Sequence, residues 1–182
     1  MEDIIKNISI DNNFKKLKDE NSLIECDIQL SDKKKKQNGF SLSDSVIDVV
    51  QGGYAISYGD DVLFTYGIEP CCGVVLYDEW KSILFHLDGR TSVEEIKKIT
   101  DSFGFNNDAK VIICPGVTCG IPGSFNYEYL ELLYRDCGYD TATFRINGTF
   151  GYISVTSSDI RFGSLLFKDS ETVINKQQGL KF

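Results

Sequence analysis

The sequence predicts an α+β protein, built as a mainly antiparallel β-sandwich or as mixed sheets flanked by two or more helices. Three observations support this fold class. Short β-branched and aromatic segments recur from residue 45 onward, separated by Gly, Asn and Asp turn residues. Two other segments carry apolar residues at helical spacing. The strands come in hairpin-like pairs rather than alternating with helices, which argues against a βαβ array.

The first half of the chain predicts strands joined by short turns. Residues 22–30 alternate partly and favour an edge strand, and residues 46–50, 54–58 and 62–66 favour three more. Residues 73–77 and 83–87 flank a polar segment and predict a hairpin with Glu79 and Trp80 at its tip. Two interpretations of Trp80 stay open, a packed turn residue or an exposed side chain that contacts a partner.

The second half predicts both helices. Ser92 and Glu95 form a capping box before a helix that ends at Gly104. Residues 111–114 favour a buried strand that leads into a Gly-rich loop at 116–123. Asn126 caps a second predicted helix at 127–137, with Leu130, Leu133 and Cys137 facing inward. Residues 141–146 and 149–155 flank an Asn-Gly pair and predict a hairpin, and residues 160–167 predict a last strand.

Length and charge limit the organisation and the partners. The 182 residues suit one domain at 41–175, after a charged lead-in at 1–40 that is partly ordered and before a tail at 176–182. The net charge of −8 argues against nucleic acid as a partner. No segment approaches the roughly 18 apolar residues of a membrane span, and the acidic N-terminus does not resemble a signal peptide.

Six cysteines and one histidine limit the available chemistry. The adjacent Cys71 and Cys72 suit reduced thiols in a cytosol-like compartment better than a disulfide framework. Cys114 and Cys119 could form half of a metal site, but a zinc site usually needs further paired ligands. We therefore predict structural thiols, no metal and no cofactor. Any cysteine–histidine chemistry must use His86.

The predicted hairpin selects one cysteine as the partner of His86. A two-residue turn at Glu79 and Trp80 places Cys71 diagonally opposite His86 on one face and Cys72 on the other face. A thiol beside an imidazole can act as a nucleophile, because an imidazolium lowers the thiol pKa. A third group must hold the imidazole ring, and a carboxylate, a hydroxyl or a backbone carbonyl on an adjacent strand could do so. Thr65 lies on the preceding predicted strand.

These residues carry a family resemblance. Residues 64–71 read Phe-Thr-Tyr-Gly-Ile-Glu-Pro-Cys, residues 71–78 read Cys-Cys-Gly-Val-Val-Leu-Tyr-Asp, and His86 follows fifteen residues after Cys71. This pattern resembles the bacterial protein-glutamine deamidases, which include the chemoreceptor deamidases, the Burkholderia lethal factor and the catalytic domain of cytotoxic necrotizing factor. The resemblance implies that Cys71 is the nucleophile, His86 the base and acid, and Thr65 the group that orients His86.

The resemblance also implies a function. A target-protein glutamine becomes glutamate through a cysteine thioester. The Leu-Asp-Gly that follows His86 favours a toxin or effector over a chemotaxis enzyme. Its protein substrate would be a host protein such as a GTPase or translation factor, and the protein itself a monomer made in the bacterial cytoplasm and delivered into the host cytosol.

Two points complete the expectations. Pro70 has no N–H, so the Cys71 N–H and a second amide from the Gly-rich loop are the expected oxyanion donors. The residues leave open a cysteine protease or transglutaminase that uses the same Cys71–His86 pair, and a binding module without enzymatic activity in which that pair is structural.

Overall fold

The structure is a computed structural model that describes residues 23–26, 46–59, 61–106, 108–122, 124–148, 150–166 and 171–178. Most of the predicted lead-in, including the lysines at 33–36, lies outside the described residues. The strands are β1 (Ile24–Glu25), β2 (Val46–Asp48), β3 (Gly53–Ser57), β4 (Val62–Tyr66), β5 (Cys72–Tyr77), β6 (Ser82–Leu87), β7 (Lys110–Pro115), β8 (Asp140–Thr143), β9 (Gly151–Val155), β10 (Asp159–Ser164) and β11 (Thr172–Asn175). The helices are α1 (Val93–Ser102) and α2 (Glu128–Asp136).

The strands form two mixed sheets. One has the order β1-β3-β6-β5-β7-β8 and the other the order β11-β10-β9-β4-β2. Six of the nine pairings between described strands are antiparallel, so the predicted α+β fold with mainly antiparallel sheets is confirmed. None of the helices in the described part of the chain is long and apolar enough to cross a membrane.

The six-stranded sheet is covered on both faces, which creates two interiors. The helix-side interior lies between this sheet and the two helices and contains Cys72, Val74, Phe85, Leu87, Ile113 and Leu130. The inter-sheet interior lies between the two sheets and contains Leu63, Val75, Leu84, Ile112, Ile153 and Ile160. Neighbouring residues of one strand therefore enter different interiors, because side chains alternate along a strand.

The β5–β6 hairpin has the predicted register. Cys72 pairs with Leu87 and Gly73 with His86. The turn is closed by the Asp78 N–H, which donates to the Lys81 carbonyl at 3.0 Å. Trp80 at the tip is 71% exposed, so it is not a packed turn residue. Because a one-residue slip would exchange the two faces, this register decides which side chains meet the second sheet.

The first helix begins as predicted, with one change in its cap. Ser92 accepts a hydrogen bond from the Glu95 N–H, and Gly104 follows the helix at φ +56. The Glu95 carboxylate does not return to the Ser92 amide but accepts from the Leu23 N–H at 2.8 Å. It thereby links the segment of β1, which pairs with β3 at the sheet edge, to the helix.

The second helix begins one residue later than predicted. The Asn126 side chain accepts from the Glu128 N–H at 3.2 Å. Leu130 is buried and Leu133 is half-buried, but the inward position predicted for Cys137 is wrong. Tyr134, four residues after Leu130 on the same helix face, is buried instead, and Cys137 is exposed.

The hairpin predicted at 141–155 is also wrong. The first segment pairs parallel with β7 after the α2 crossover, whereas the second lies in the other sheet between β4 and β10. The chain stays beside β7 as far as Ile146, whose N–H donates to the Pro115 carbonyl at 2.9 Å. Ile146 is buried between the sheets, so Asn147 and Gly148 connect two sheets rather than two paired strands. Packing of both flanking segments overrides the local turn preference.

The C-terminal part of the described chain extends beyond the predicted last strand. β10 ends at Ser164, and β11 pairs with it afterwards. Lys176, at the start of the predicted tail, donates from its ammonium group to the Ser82 hydroxyl at 2.7 Å. This contact joins the end of β11 to the β5–β6 hairpin.

Candidate active site

His86 lies in β6 on the face that meets the second sheet. It is 3% exposed. Glycines pair with it on both sides, Gly53 of β3 and Gly73 of β5. A Cβ on Gly73 would lie 2.0 Å from Ile153 Cδ1, so only glycine lets Ile153 of the second sheet pack this closely beside the imidazole strand.

Thr65 of β4 reaches His86 from the opposite sheet. Its Oγ1 lies 2.8 Å from His86 Nδ1 and donates to the Val49 carbonyl at 2.6 Å. A carbonyl can only accept, so the single Thr65 hydroxyl proton points to Val49 and Nδ1 must donate its own proton to Oγ1. The imidazole therefore carries its proton on Nδ1 and an acceptor lone pair on Nε2. The two predicted site residues Thr65 and His86 are brought together.

The other imidazole nitrogen is buried and unpaired. His86 Nε2 has no hydrogen-bond partner among the described residues. Burial lowers the pKa of His86 to about 4, although the hydrogen bond with the Val49 backbone and the charge of Asp88 act in the opposite direction. The imidazole is therefore neutral at pH 7. A buried acceptor without a donor is rare in folded proteins and marks this position as a candidate for chemistry.

Cys71 immediately precedes β5 and is 1% exposed. The hairpin register places it diagonal to His86 on the inter-sheet face, as predicted. Cys72 is fully buried in the helix-side interior and faces away from the imidazole. Within the described chain the Cys71 thiol does not donate to His86 Nε2.

The resting pair is uncharged. Burial raises the pKa of Cys71 to about 12, and the neighbouring Asp88 carboxylate and Cys119 add to this. The expectation that an imidazolium lowers the thiol pKa therefore does not describe this state, because burial disfavours the charged form of both partners. The site holds a thiol and a neutral imidazole that carries a basic nitrogen.

Asp88 completes the site and was not selected from the sequence. It follows β6 two residues after His86 and is 6% exposed. Its Oδ2 accepts from the Arg90 guanidinium at 2.8 Å and from the Gln51 amide at 3.4 Å. Burial alone would raise the Asp88 pKa, but the hydrogen bonds and charge of Arg90, with the Gln51 hydrogen bond, hold it below its ordinary value. The strand parity it shares with His86 was the signal that could have identified it.

The Gly-rich loop does not offer most of its expected oxyanion donors. The Gly116 N–H donates to the Cys71 carbonyl at 3.0 Å, and the Thr118 N–H donates to the Glu69 carbonyl at 3.1 Å. The amides of Cys119 and Gly120 are likewise engaged within the loop and with Phe125. Within the described residues the Cys71 N–H has no acceptor, so it is the expected donor that remains available.

The same loop is fastened beside the nucleophile candidate. A Cβ on Gly116 would lie 1.6 Å from the Ile68 carbonyl oxygen, so the loop packs directly on the segment that leads to Cys71. Arg145 Nη1 donates to the carbonyl of Gly116 at 2.9 Å and also contacts those of Val117 and Cys119. Movement of this loop would change the access to Cys71.

Of the remaining thiols, Cys114 also lies on the imidazole face, because it pairs with Gly73 on the side opposite His86 and belongs to the inter-sheet interior. Cys72 and Cys119 belong to the helix-side interior. The side chains of Cys72 and Cys119 are hydrogen-bonded to each other, and this contact, together with the Arg145 charge and loop amides, lowers the Cys119 pKa. All six cysteines fall within the described residues, and none forms a disulfide. The described residues contain no group of three His, Cys, Asp or Glu side chains suited to a metal ion.

The site therefore joins one residue from the five-stranded sheet with residues of a single hairpin in the six-stranded sheet. Thr65 contacts His86, and the hairpin register, continued one residue past Cys72 and Leu87, places Cys71 and Asp88 opposite each other on the face of His86. No protein-family model matches this chain, and no curated protein matches it by sequence. A functional interpretation must therefore start from the chemistry of these four side chains.

Proposed function

We propose that this protein is a cysteine-dependent protein-glutamine deamidase. The observation that carries the proposal is the Thr65–His86 contact, because it leaves a basic Nε2 in the interior that Cys71 faces. In the proposed roles Cys71 is the nucleophile, His86 the general base and acid, and Thr65 the positioning residue. The same three residues form the motif that resembles the bacterial glutamine deamidases.

The proposed reaction begins when the Cys71 sulfur attacks the carboxamide carbon of a substrate glutamine. The thiol proton moves to His86 Nε2 as the carbon–sulfur bond forms. The Cys71 N–H stabilises the resulting oxyanion, and one donor of this kind is worth about 10²–10³ in rate. His86 then protonates the amide nitrogen, the carbon–nitrogen bond breaks, and ammonia leaves behind a thioester.

Hydrolysis completes the cycle. A water molecule attacks the thioester carbonyl and gives a proton to His86 Nε2. The carbon–sulfur bond breaks, the proton returns to Cys71, and the product is a glutamate side chain. Both half-reactions begin with an unprotonated Nε2, which is the form of His86 at rest. The target gains one negative charge, which can alter its contacts with other proteins.

The setting of the site favours a protein substrate and a gated approach. Because Cys71 is 1% exposed, a substrate can reach it only after a neighbouring segment moves. The 116–120 loop is such a segment, since its Gly116 N–H donates to the Cys71 carbonyl. The acidic chain, with net charge −8, favours a target with a basic surface. We propose a monomeric bacterial toxin or effector that acts on a host protein such as a GTPase or translation factor.

The test uses denatured β-casein, a flexible glutamine-containing protein, as the substrate. We expect ammonia release and a mass increase of about 1 Da for each converted glutamine. Cys71→Ala and His86→Ala should abolish both signals. Cys72→Ala is the matched control on the opposite face of the same strand and should remain active. An active Cys71→Ala protein, or loss of activity in Cys72→Ala alone, would show that the assigned nucleophile is wrong.

The same reactions distinguish the other uses of a cysteine–histidine pair. Peptide fragments of casein would indicate a cysteine protease, and incorporation of an added primary amine in preference to hydrolysis would indicate a transglutaminase. The burial of Cys71 favours a further alternative, a binding module in which the pair is structural. Absence of any casein product, together with iodoacetamide labelling of Cys71 no faster than that of a free thiol at pH 7, would support that alternative.

A further inference from the structure

We propose that Asp88 is a positioning residue of this site, whose carboxylate adds to burial in disfavouring a free Cys71 thiolate at rest and stabilises the imidazolium that His86 becomes during the reaction. The inference deepens the proposed deamidase function and rests on it. It assigns a role to the buried carboxylate that neither the motif nor the three-residue mechanism uses.

The geometry places Asp88 against both reacting groups. It follows His86 by two residues and so shares its face of the sheet. The last paired residues of the hairpin on this side are Cys72 and Leu87, and the next residues along the two strands are Cys71 and Asp88. In this register Asp88 falls opposite Cys71 and on the sheet face of His86, and its charge acts to raise the pKa of both groups.

The groups around this cluster are few. Asp88 is contacted by Arg90, by the Gln51 amide of the neighbouring strand connection and by the Thr91 hydroxyl. The imidazole is contacted by Thr65. The Cys119 thiol, in the helix-side interior, raises the pKa of Cys71 as Asp88 does. Arg90 is the cation paired with Asp88, at 2.8 Å, and its side chain is largely exposed.

The carboxylate acts differently on the two stages of attack. At rest it disfavours a free thiolate, which would be a second negative charge beside it. When sulfur becomes bonded to the substrate carbon, that negative charge leaves the sulfur, while His86 holds the transferred proton. The attraction between Asp88 and the imidazolium then remains, so the intermediate is stabilised relative to an unproductive ion pair.

The neutral isostere asparagine separates the effect of the Asp88 charge from the part that its side chain plays in the turn after β6. Asp88 Oδ1 accepts from the Arg90 N–H at 3.0 Å, a contact that the side-chain carbonyl oxygen of an asparagine can still make. Asp88→Asn therefore removes the charge with little change of shape. Arg90→Gln is the matched opposite change, because it leaves the carboxylate ionised without its cation.

The experiment compares wild type, Asp88→Asn and Arg90→Gln in two assays. Iodoacetamide labelling across pH, read by peptide mass spectrometry, reports Cys71, with the fully buried Cys72 and Cys114 as internal controls. Ammonia release from denatured β-casein reports the reaction. In Asp88→Asn we expect half-maximal labelling of Cys71 at a pH lower by about one unit and deamidation slower by about 10-fold or more. In Arg90→Gln the labelling of Cys71 should become slower.

The two opposite changes in Asp88→Asn, a more reactive thiol and a slower enzyme, are not expected from structural damage. An unchanged Cys71 profile, or equal acceleration at Cys72 and Cys114, would overturn the proposal. So would an active wild type whose Asp88→Asn variant keeps the wild-type rate. A wild type that labels as expected but releases no ammonia would instead overturn the deamidase function, and the shifted Cys71 profile would still support the charge contact.

Discussion

Cys71 and Cys72 are neighbours in the chain, yet their side chains enter two different interiors of the same sheet. In the helix-side interior, Cys72 packs among apolar residues, and the buried Thr100 and Tyr134 hydroxyls lie 3.2 Å apart and satisfy each other. In the inter-sheet interior, His86 Nε2 and the Tyr77 hydroxyl are buried without hydrogen-bond partners among the described residues.

This difference is the one we expect if the helix-side interior serves packing and the inter-sheet interior holds the proposed site. Unpaired buried polar atoms cost about 1–3 kcal/mol each, so a core built only for stability avoids them. The helix-side interior follows that rule in its Thr100–Tyr134 pair. The inter-sheet interior does not, and its unpaired nitrogen belongs to the imidazole beside Cys71. The following changes test whether the two interiors differ in this way.

The largest expected effect is loss of the hydroxyl that orients the imidazole. Thr65→Val keeps the side-chain shape but removes the acceptor for the Nδ1 proton, so the proton can move to Nε2. We expect deamidation of casein to fall by about 10²–10⁴. Two-dimensional ¹H–¹⁵N NMR of the single histidine should show the change of tautomer.

Thr65→Ser is the control, because it retains the hydroxyl and should retain both the tautomer and at least about a tenth of the activity. If Thr65→Val kept the wild-type tautomer and rate, the orienting role of Thr65 would be wrong.

The second expected effect is a pH dependence of stability that comes from His86. Its pKa is about 4 in the folded protein and 6.5 in its ordinary state, so the unfolded chain binds a proton first as the pH falls. The contribution of neutral His86 is fully present above pH 6.5 and is lost between pH 6.5 and 4. The loss amounts to about 3 kcal/mol.

Urea unfolding of wild type and His86→Gln across this range measures the contribution, because the variant lacks the imidazole but keeps every other titrating group. A parallel fall in the two proteins would mean that the imidazole is not held neutral. The resonances of the only histidine give its pKa directly.

A third change tests how closely the two sheets approach at the site. Gly73→Ala places a methyl group against Ile153 and should lower the free energy of unfolding by about 1–3 kcal/mol. Thermal and urea unfolding measure the loss. Adding Ile153→Val should recover part of it, because the smaller side chain makes room. Additive losses in the double variant would argue against this contact.

The smallest effect is expected in the helix-side interior. Tyr134→Phe removes one partner of the Thr100 hydroxyl and should cost about 1 kcal/mol, since a helical threonine can turn to a backbone carbonyl. Unfolding free energy should change while casein deamidation does not. A large loss of activity in Tyr134→Phe would contradict the separation of the two interiors.

Local patterns in the sequence were sufficient for much of the fold. Alternation and turn residues predicted the β5–β6 hairpin with its register, and the capping residue Ser92 predicted the start of the first helix. The same reasoning failed for residues 141–155, where an Asn-Gly pair favours a hairpin turn. There the flanking segments gain more by joining different sheets than by pairing with each other, and no local signal reports that gain.

By itself, the sequence determined which of the adjacent thiols Cys71 and Cys72 has the strand parity of His86, because side-chain alternation across a short turn is a local property of the chain. Its resemblance to the glutamine deamidases also implied a role for Thr65. Only the tertiary structure decided that the Thr65 hydroxyl meets Nδ1, since this contact joins two sheets. Burial likewise decided that the pair is uncharged at rest, because the cost of charge depends on what surrounds a group in space. The register of the hairpin decided that Asp88 falls on the same sheet face.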